Sequence, residues 1–292
     1  MTAKPITSGQ SKQIRRFVED ATNSALEELA FDKDAAQRVI EQGNEIEALV
    51  LDMLRGLAVT DEFSNEEVAS SYGYLSGYKP RPVSEQMAAL KAIFPGLKSF
   101  DKSTAAKELP PGAEGMFLIP RWETLAPTYG QAVEVVLAKL AESRNGKFVN
   151  YRENQLGPNQ LKESTKKAAM FQKLGDQQKG HDVLVVAGQF GIRHRGKSVR
   201  RARVVMGGLE CGLGAFEIGI MLLTHPERLQ HYDDLWVDCA GDEYAPDAGG
   251  GFYGAPYFRF YDEYLEFDAD DVGNPGDYDG SASAVLPSEC QS

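Results

Sequence analysis

Cysteine, tryptophan and long apolar runs are all scarce in this sequence. Three cysteines, Cys211, Cys239 and Cys290, occur in 292 residues, and no two form Cys-x-x-Cys. An odd, scattered set of this kind points to a reduced, cytoplasmic protein. The best apolar stretch, 215–223, is broken by Glu217 and Gly219 and falls far short of the ~18 residues a membrane span needs, so no membrane partner is expected. Residues 1–9, Met-Thr-Ala-Lys-Pro-Ile-Thr-Ser-Gly, lack the apolar core of a secretory signal. Neither H-E-x-x-H nor G-x-S-x-G occurs, which removes the commonest signatures of a zinc protease and of a serine hydrolase.

Charge is abundant and unevenly placed. The formal net charge is −12, yet residues 233–292 carry 15 acidic groups against one basic group, Arg259. The first 232 residues are close to neutral. Within them Arg193, Arg195, Lys197, Arg200, Arg201 and Arg203 fall in 11 residues. Such a cluster is the usual footprint of a site for phosphate, nucleic acid or an acidic surface. Two readings stand side by side: an open anion site, or a cluster mated with the protein's own acidic C-terminal segment.

Hydrophobic patterning predicts an α/β (or α+β) protein. Ile14, Phe17, Val18 and Ala21 recur at helical spacing, followed by Ala25, Leu26 and Leu29. Asp34 reads as the cap of a short helix ending near Gly43, and Ile46, Leu49, Val50, Met53, Leu54 and Leu57 line one face of another. Glu45, Glu47 and Asp52, against Arg55 alone, make that last helix a poor DNA reader. A helical N-terminal region is therefore expected over 1–97, then a linker over 98–112 that closes on Pro110-Pro111-Gly112. A mixed-sheet α/β domain is expected over 113–268, and an acidic, loosely ordered tail over 269–292. Residues 182–187, Asp-Val-Leu-Val-Val-Ala, form the clearest buried strand, residues 161–174 read as a helix, and 257–261 with 264–267 as a hairpin.

Residues 174–186 (Leu-Gly-Asp-Gln-Gln-Lys-Gly-His-Asp-Val-Leu-Val-Val) and 224–244 (Thr-His-Pro-Glu-Arg-Leu-Gln-His-Tyr-Asp-Asp-Leu-Trp-Val-Asp-Cys-Ala-Gly-Asp-Glu-Tyr) resemble a group of bacterial proteins with no assigned activity. The likeness runs from about residue 20 nearly to the C-terminus. It implies one natural unit and carries no catalytic role with it.

Two motifs bear on chemistry. Gly191-Ile-Arg-His-Arg-Gly196-Lys197-Ser198 fits G-x-x-x-x-G-K-[ST] and follows the strongest strand. In a P-loop the amides cradle phosphate, the lysine offsets its charge and the hydroxyl binds Mg²⁺. Here Lys197 and Ser198 would take those roles, with Asp238 and Asp242 on the metal, in an Mg²⁺-dependent phosphoester hydrolase. The bulky Ile-Arg-His-Arg interior argues against that enzyme. It leaves the looser expectation that Arg193, Arg195, Lys197, Ser198, Arg200, Arg201 and Arg203 bind a phosphate-bearing ligand or nucleic acid. The histidines His181, His194, His225 and His231 lie within 51 residues. With Asp238, the first three are candidate proton-transfer groups; the plainer reading makes them loop-capping residues. A third class is a non-enzymatic partner-binding protein.

Overall fold

The computed structural model describes residues 6–43, 46, 50, 54, 62–247 and 249–286. Residues 1–5 of the expected N-terminal arm lie outside them, as do Leu49, Met53 and Leu57 of the expected third helix with its charged neighbours Glu45, Glu47, Asp52 and Arg55, and Cys290. The chain forms two compact units that part between Val50 and Leu51.

The first unit contains α1 (Ser8–Leu29) and α2 (Lys33–Glu41). Thr7 and Gln10 build a reciprocal capping box at the start of α1. Asp32, not Asp34, caps α2, by accepting the Ala35 amide at 2.7 Å. Neither helix has a buried residue.

The second unit also takes in residues 98–112, the expected linker. The amides of Lys98 and Ser99 donate to the Asp182 carboxylate at 2.7 and 2.9 Å, and Phe100 bridges to Val183. The helices of this unit are α3 (Val83–Ile93), α4 (Lys102–Ala105), α5 (Tyr129–Ser143), α6 (Thr165–Gln177), α7 (Val199–Val205) and α8 (Ala215–Thr224). The strands are β1 (Gly115–Pro120), β2 (Phe148–Asn150), β3 (Leu161–Glu163), β4 (Val183–Gln189), β5 (Glu210–Gly212), β6 (Val237–Asp238), β7 (Asp242–Tyr244), β8 (Gly254–Tyr261), β9 (Tyr264–Asp271) and β10 (Ser283–Val285). The expected helix over 161–174 is instead β3 followed by α6. Ser164, whose side chain accepts the Lys167 amide, marks the true helix start.

One sheet runs β1-β4-β10-β5 and is antiparallel throughout; the other runs β2-β9-β8-β7-β3, with β6 on β8 and a parallel β2–β9 pair. This is the expected mixed architecture, C-terminal hairpin included. α8 is buried along its whole length and packs on α3, α5 and β1. The expected loose tail is corrected. Residues 269–271 extend β9, and Ser283–Val285 insert between β4 and β5 as an interior strand. Its small residues suit that place, because Ala284 pairs with Gly188 on one side and Cys211 on the other.

Candidate functional site

The loop after β4 is built as a structural corner. Gly191 has φ +118°, and a Cβ there would lie 2.6 Å from the Gly280 carbonyl, so only glycine lets the two chains pass. The amides of this loop are already spent on the chain itself. Gly191 donates to Gln189 Oε1 (2.6 Å), Ile192 to Tyr74 Oη (3.1 Å), Gly196 to the Asp279 carbonyl (2.8 Å) and Ser198 to the Glu66 carbonyl (3.1 Å). A phosphate cradle needs those same N–H groups free. The strand feeding the loop has antiparallel neighbours on both sides, unlike a nucleotide-binding βαβ unit.

The cations of the cluster also have partners, and these come from upstream carboxylates more than from the acidic C-terminal segment. Glu66 receives Arg200 and the Ser198 hydroxyl, the latter at 2.7 Å; its carboxyl is held low chiefly by the Arg200 hydrogen bond. Glu67 receives Arg201, and Lys197 at 3.7 Å. Arg203 is directed inward, donating to the carbonyls of Ala240 (2.9 Å) and Asp242 (2.5 Å). Arg193 shares Glu210 with His194. Arg193 and Arg195 are the exposed members, and Arg195 donates to the Tyr72 carbonyl at 2.9 Å.

Each histidine sits in a local hydrogen-bond role. His181 Nδ1 lies 3.0 Å from Ser99 Oγ, and His194 Nε2 lies 2.7 Å from Glu210. His231 Nδ1 accepts the Asp233 amide at 3.1 Å. His225 is fully buried, accepts the Arg81 amide at 3.0 Å, and has its pKa lowered to about 4 by burial, which keeps it neutral. The four are not gathered into one site. Asp238 and Asp242 likewise enter different surroundings, and among the described residues no group of three His, Cys, Asp or Glu side chains is placed to hold a metal ion.

Asp242 belongs to a buried charge cluster that sequence reading missed. Lys167 is wholly buried; its Nζ lies 2.8 Å from Glu217, 3.2 Å from Glu163, 3.4 Å from Asp242 and 2.8 Å from Tyr129 Oη. Burial works against its charge, but three carboxylates outweigh that and raise its pKa. Burial lifts Glu217 to about 7. The glycine-rich entry to α8 is occupied by these side chains: Ala215 N–H donates to Asp242 at 2.7 Å and Gly214 N–H to Glu217 at 3.0 Å. Gly214 is required because a Cβ would fall 2.1 Å from the Asp242 carboxylate. A cavity of about 200 Å³ borders Glu163 and Glu217, both already paired with Lys167.

The second cleft differs on that point. About 70 Å³ in volume, it lies between β8, β9 and residues 274–279. Asp238, Asp270, Asp271 and Asp279 line it together with the rings of Trp236, Tyr257 and Tyr278. Trp236 stacks on Tyr257 (12° between planes, 5.4 Å between centroids) and lies 4.2 Å from Tyr278. Among the described residues, none of the four carboxylates forms an ion pair. Asp238 accepts the Ser281 hydroxyl at 3.3 Å. Burial and the neighbouring Asp279 push Asp238 far above the usual carboxylate range, and burial, with Asp270 and Asp277 nearby, lifts Asp279 to about 7. Arg259 covers Trp236 at 4.7 Å but is paired with Glu266 at 2.6 Å. Of these residues the sequence singled out Asp238 alone. Tyr278 and the remaining aspartates come from residues 269–292, whose composition read as a tail, while Trp236 and Tyr257 belong to the expected α/β domain.

No family model, curated protein or solved structure matches this chain. No helix among the described residues is long and apolar enough to cross a membrane.

Proposed function

We propose that the protein binds an organic cation, a molecule bearing an ammonium or guanidinium group, in the cleft lined by Asp238, Asp270, Asp279, Trp236, Tyr257 and Tyr278. One observation carries this reading: Asp270, Asp271 and Asp279, none of them in an ion pair among the described residues, stand beside aromatic rings in a single cleft. Carboxylates supply charge attraction, and ring faces attract a cation through their quadrupole. The volume suits the head of such a ligand, not a drug-sized molecule. The test is titration of Trp236 fluorescence, in a Trp122→Phe background, with tetramethylammonium and with spermidine. A saturable change, weakened by Asp279→Asn, supports the reading; no saturable change with either probe between pH 6 and 8 ends it.

A second reading keeps the anion expectation on a smaller footing. Arg193 and Arg195 reach solvent, and together they would contact a phosphate backbone. Retention on a polyanion resin at low salt, lost in R193E/R195E, supports it; flow-through of the wild type removes it.

A further inference from the structure

The helix α1 has an apolar stripe and nothing buried. Ile14, Phe17, Val18, Ala21, Ala25, Leu26 and Leu29 fall within one face by helical spacing, while Phe17, Leu26 and Leu29 are 60, 50 and 59% exposed. Over 22 residues, about 33 Å at 1.5 Å per residue, that is a long surface with no partner among the described residues. Its charges are segregated along the axis. Lys12, Arg15 and Arg16 occupy the first half, and Glu19, Asp20, Glu27 and Glu28 the second. No acidic residue stands in the first turn and no basic residue in the last, so the helix dipole opposes this arrangement in a lone helix.

We propose that α1 is a self-association surface, pairing antiparallel with α1 of a second copy of this chain. The occupant follows from the charges. An antiparallel partner sets each basic half beside an acidic half and opposes the two dipoles, whereas a parallel partner sets like on like. The apolar positions agree. The register that places Ile14 level with Leu29 also places Phe17 level with Leu26 and Val18 level with Ala25.

Sedimentation of the full chain over a wide concentration range tests this, with circular dichroism confirming that each variant keeps its fold. The wild type is expected to dimerise, less tightly as salt is raised. Phe17→Glu abolishes the dimer, and K12E/R15E/R16E weakens it by about tenfold or more. A wild type that stays monomeric at every concentration overturns the proposal. A dimer that Phe17→Glu leaves intact does so as well. A dimer lost in Phe17→Glu but unchanged by the triple charge reversal overturns the antiparallel arrangement.

Discussion

Ser283 in β10 donates a 2.6 Å hydrogen bond to Glu210 in β5, the same carboxylate oxygen that meets His194 Nε2 at 2.7 Å. A residue near the end of the described chain thereby ties the interior strand to the loop after β4. Gln189 adds to the tie by donating to Ser283 Oγ at 2.9 Å. Ser283→Ala removes both bonds, one of them to a carboxylate, and is expected to lower stability by about 2–3 kcal/mol, as read by denaturant unfolding.

Glu210 itself governs acid sensitivity. Burial works against its charge, yet the His194 and Ser283 hydrogen bonds and Arg193 hold its pKa at about 2. Its folded pKa lies below the unfolded value, so the stability it contributes is present above about pH 4.5 and is lost as pH falls toward 2. Glu210→Gln should flatten the stability curve in that window and leave its slope near neutrality unchanged.

The Lys167 cluster behaves in the opposite sense. Lys167→Ala strands Glu217 and Asp242 in the interior without their ammonium, and breaking such a buried pair costs about 3–5 kcal/mol. The deficit should grow between pH 6 and 8, because the abandoned carboxylates resist ionisation. Thermal melts of the variant and wild type across that range check both parts.

Asp279 links the cleft to pH. Its pKa of about 7 lies above that of the unfolded chain, so the folded state holds the extra proton and stability declines as pH rises from about 4 to 7. Asp279→Asn is expected to flatten that decline. The same ionisation favours a bound cation, so tetramethylammonium affinity should increase as pH passes through 7. The groups acting on this aspartate are Asp270 and Asp277, which raise its pKa; Asp238, which it raises in turn, is offset by Arg203.

Thiol chemistry offers a simpler check. Cys211 and Cys239 are buried, and burial pushes the Cys211 thiol up to about 12. In a Cys290→Ser background a thiol reagent should label neither residue in the native protein and both after denaturation.

Local pattern was legible in the sequence, and distant pairing was not. The unbroken run at 182–187 became β4, and the aromatic alternation at 257–267 became the β8–β9 hairpin. Arg200 and Arg201 gave no sign of their partners, because Glu66 and Glu67 lie 134 residues upstream and only the fold brings them close. Residues 281–286, Ser-Ala-Ser-Ala-Val-Leu, have the composition of a linker. Ser283–Val285 form a strand because their backbone pairs with β4 on one side and β5 on the other. Ser164 ahead of two lysines was a usable capping signal, masked by the leucine spacing across 161–174.

The insertion of β10 also bears on biosynthesis. β4 and β5 do not pair with each other, so the seam between them stays open on the ribosome until residues 283–285 have been translated. A nascent chain paused after the hairpin therefore presents two raw strand edges, one of them the most hydrophobic segment of the sheet, and is the species most in need of a chaperone.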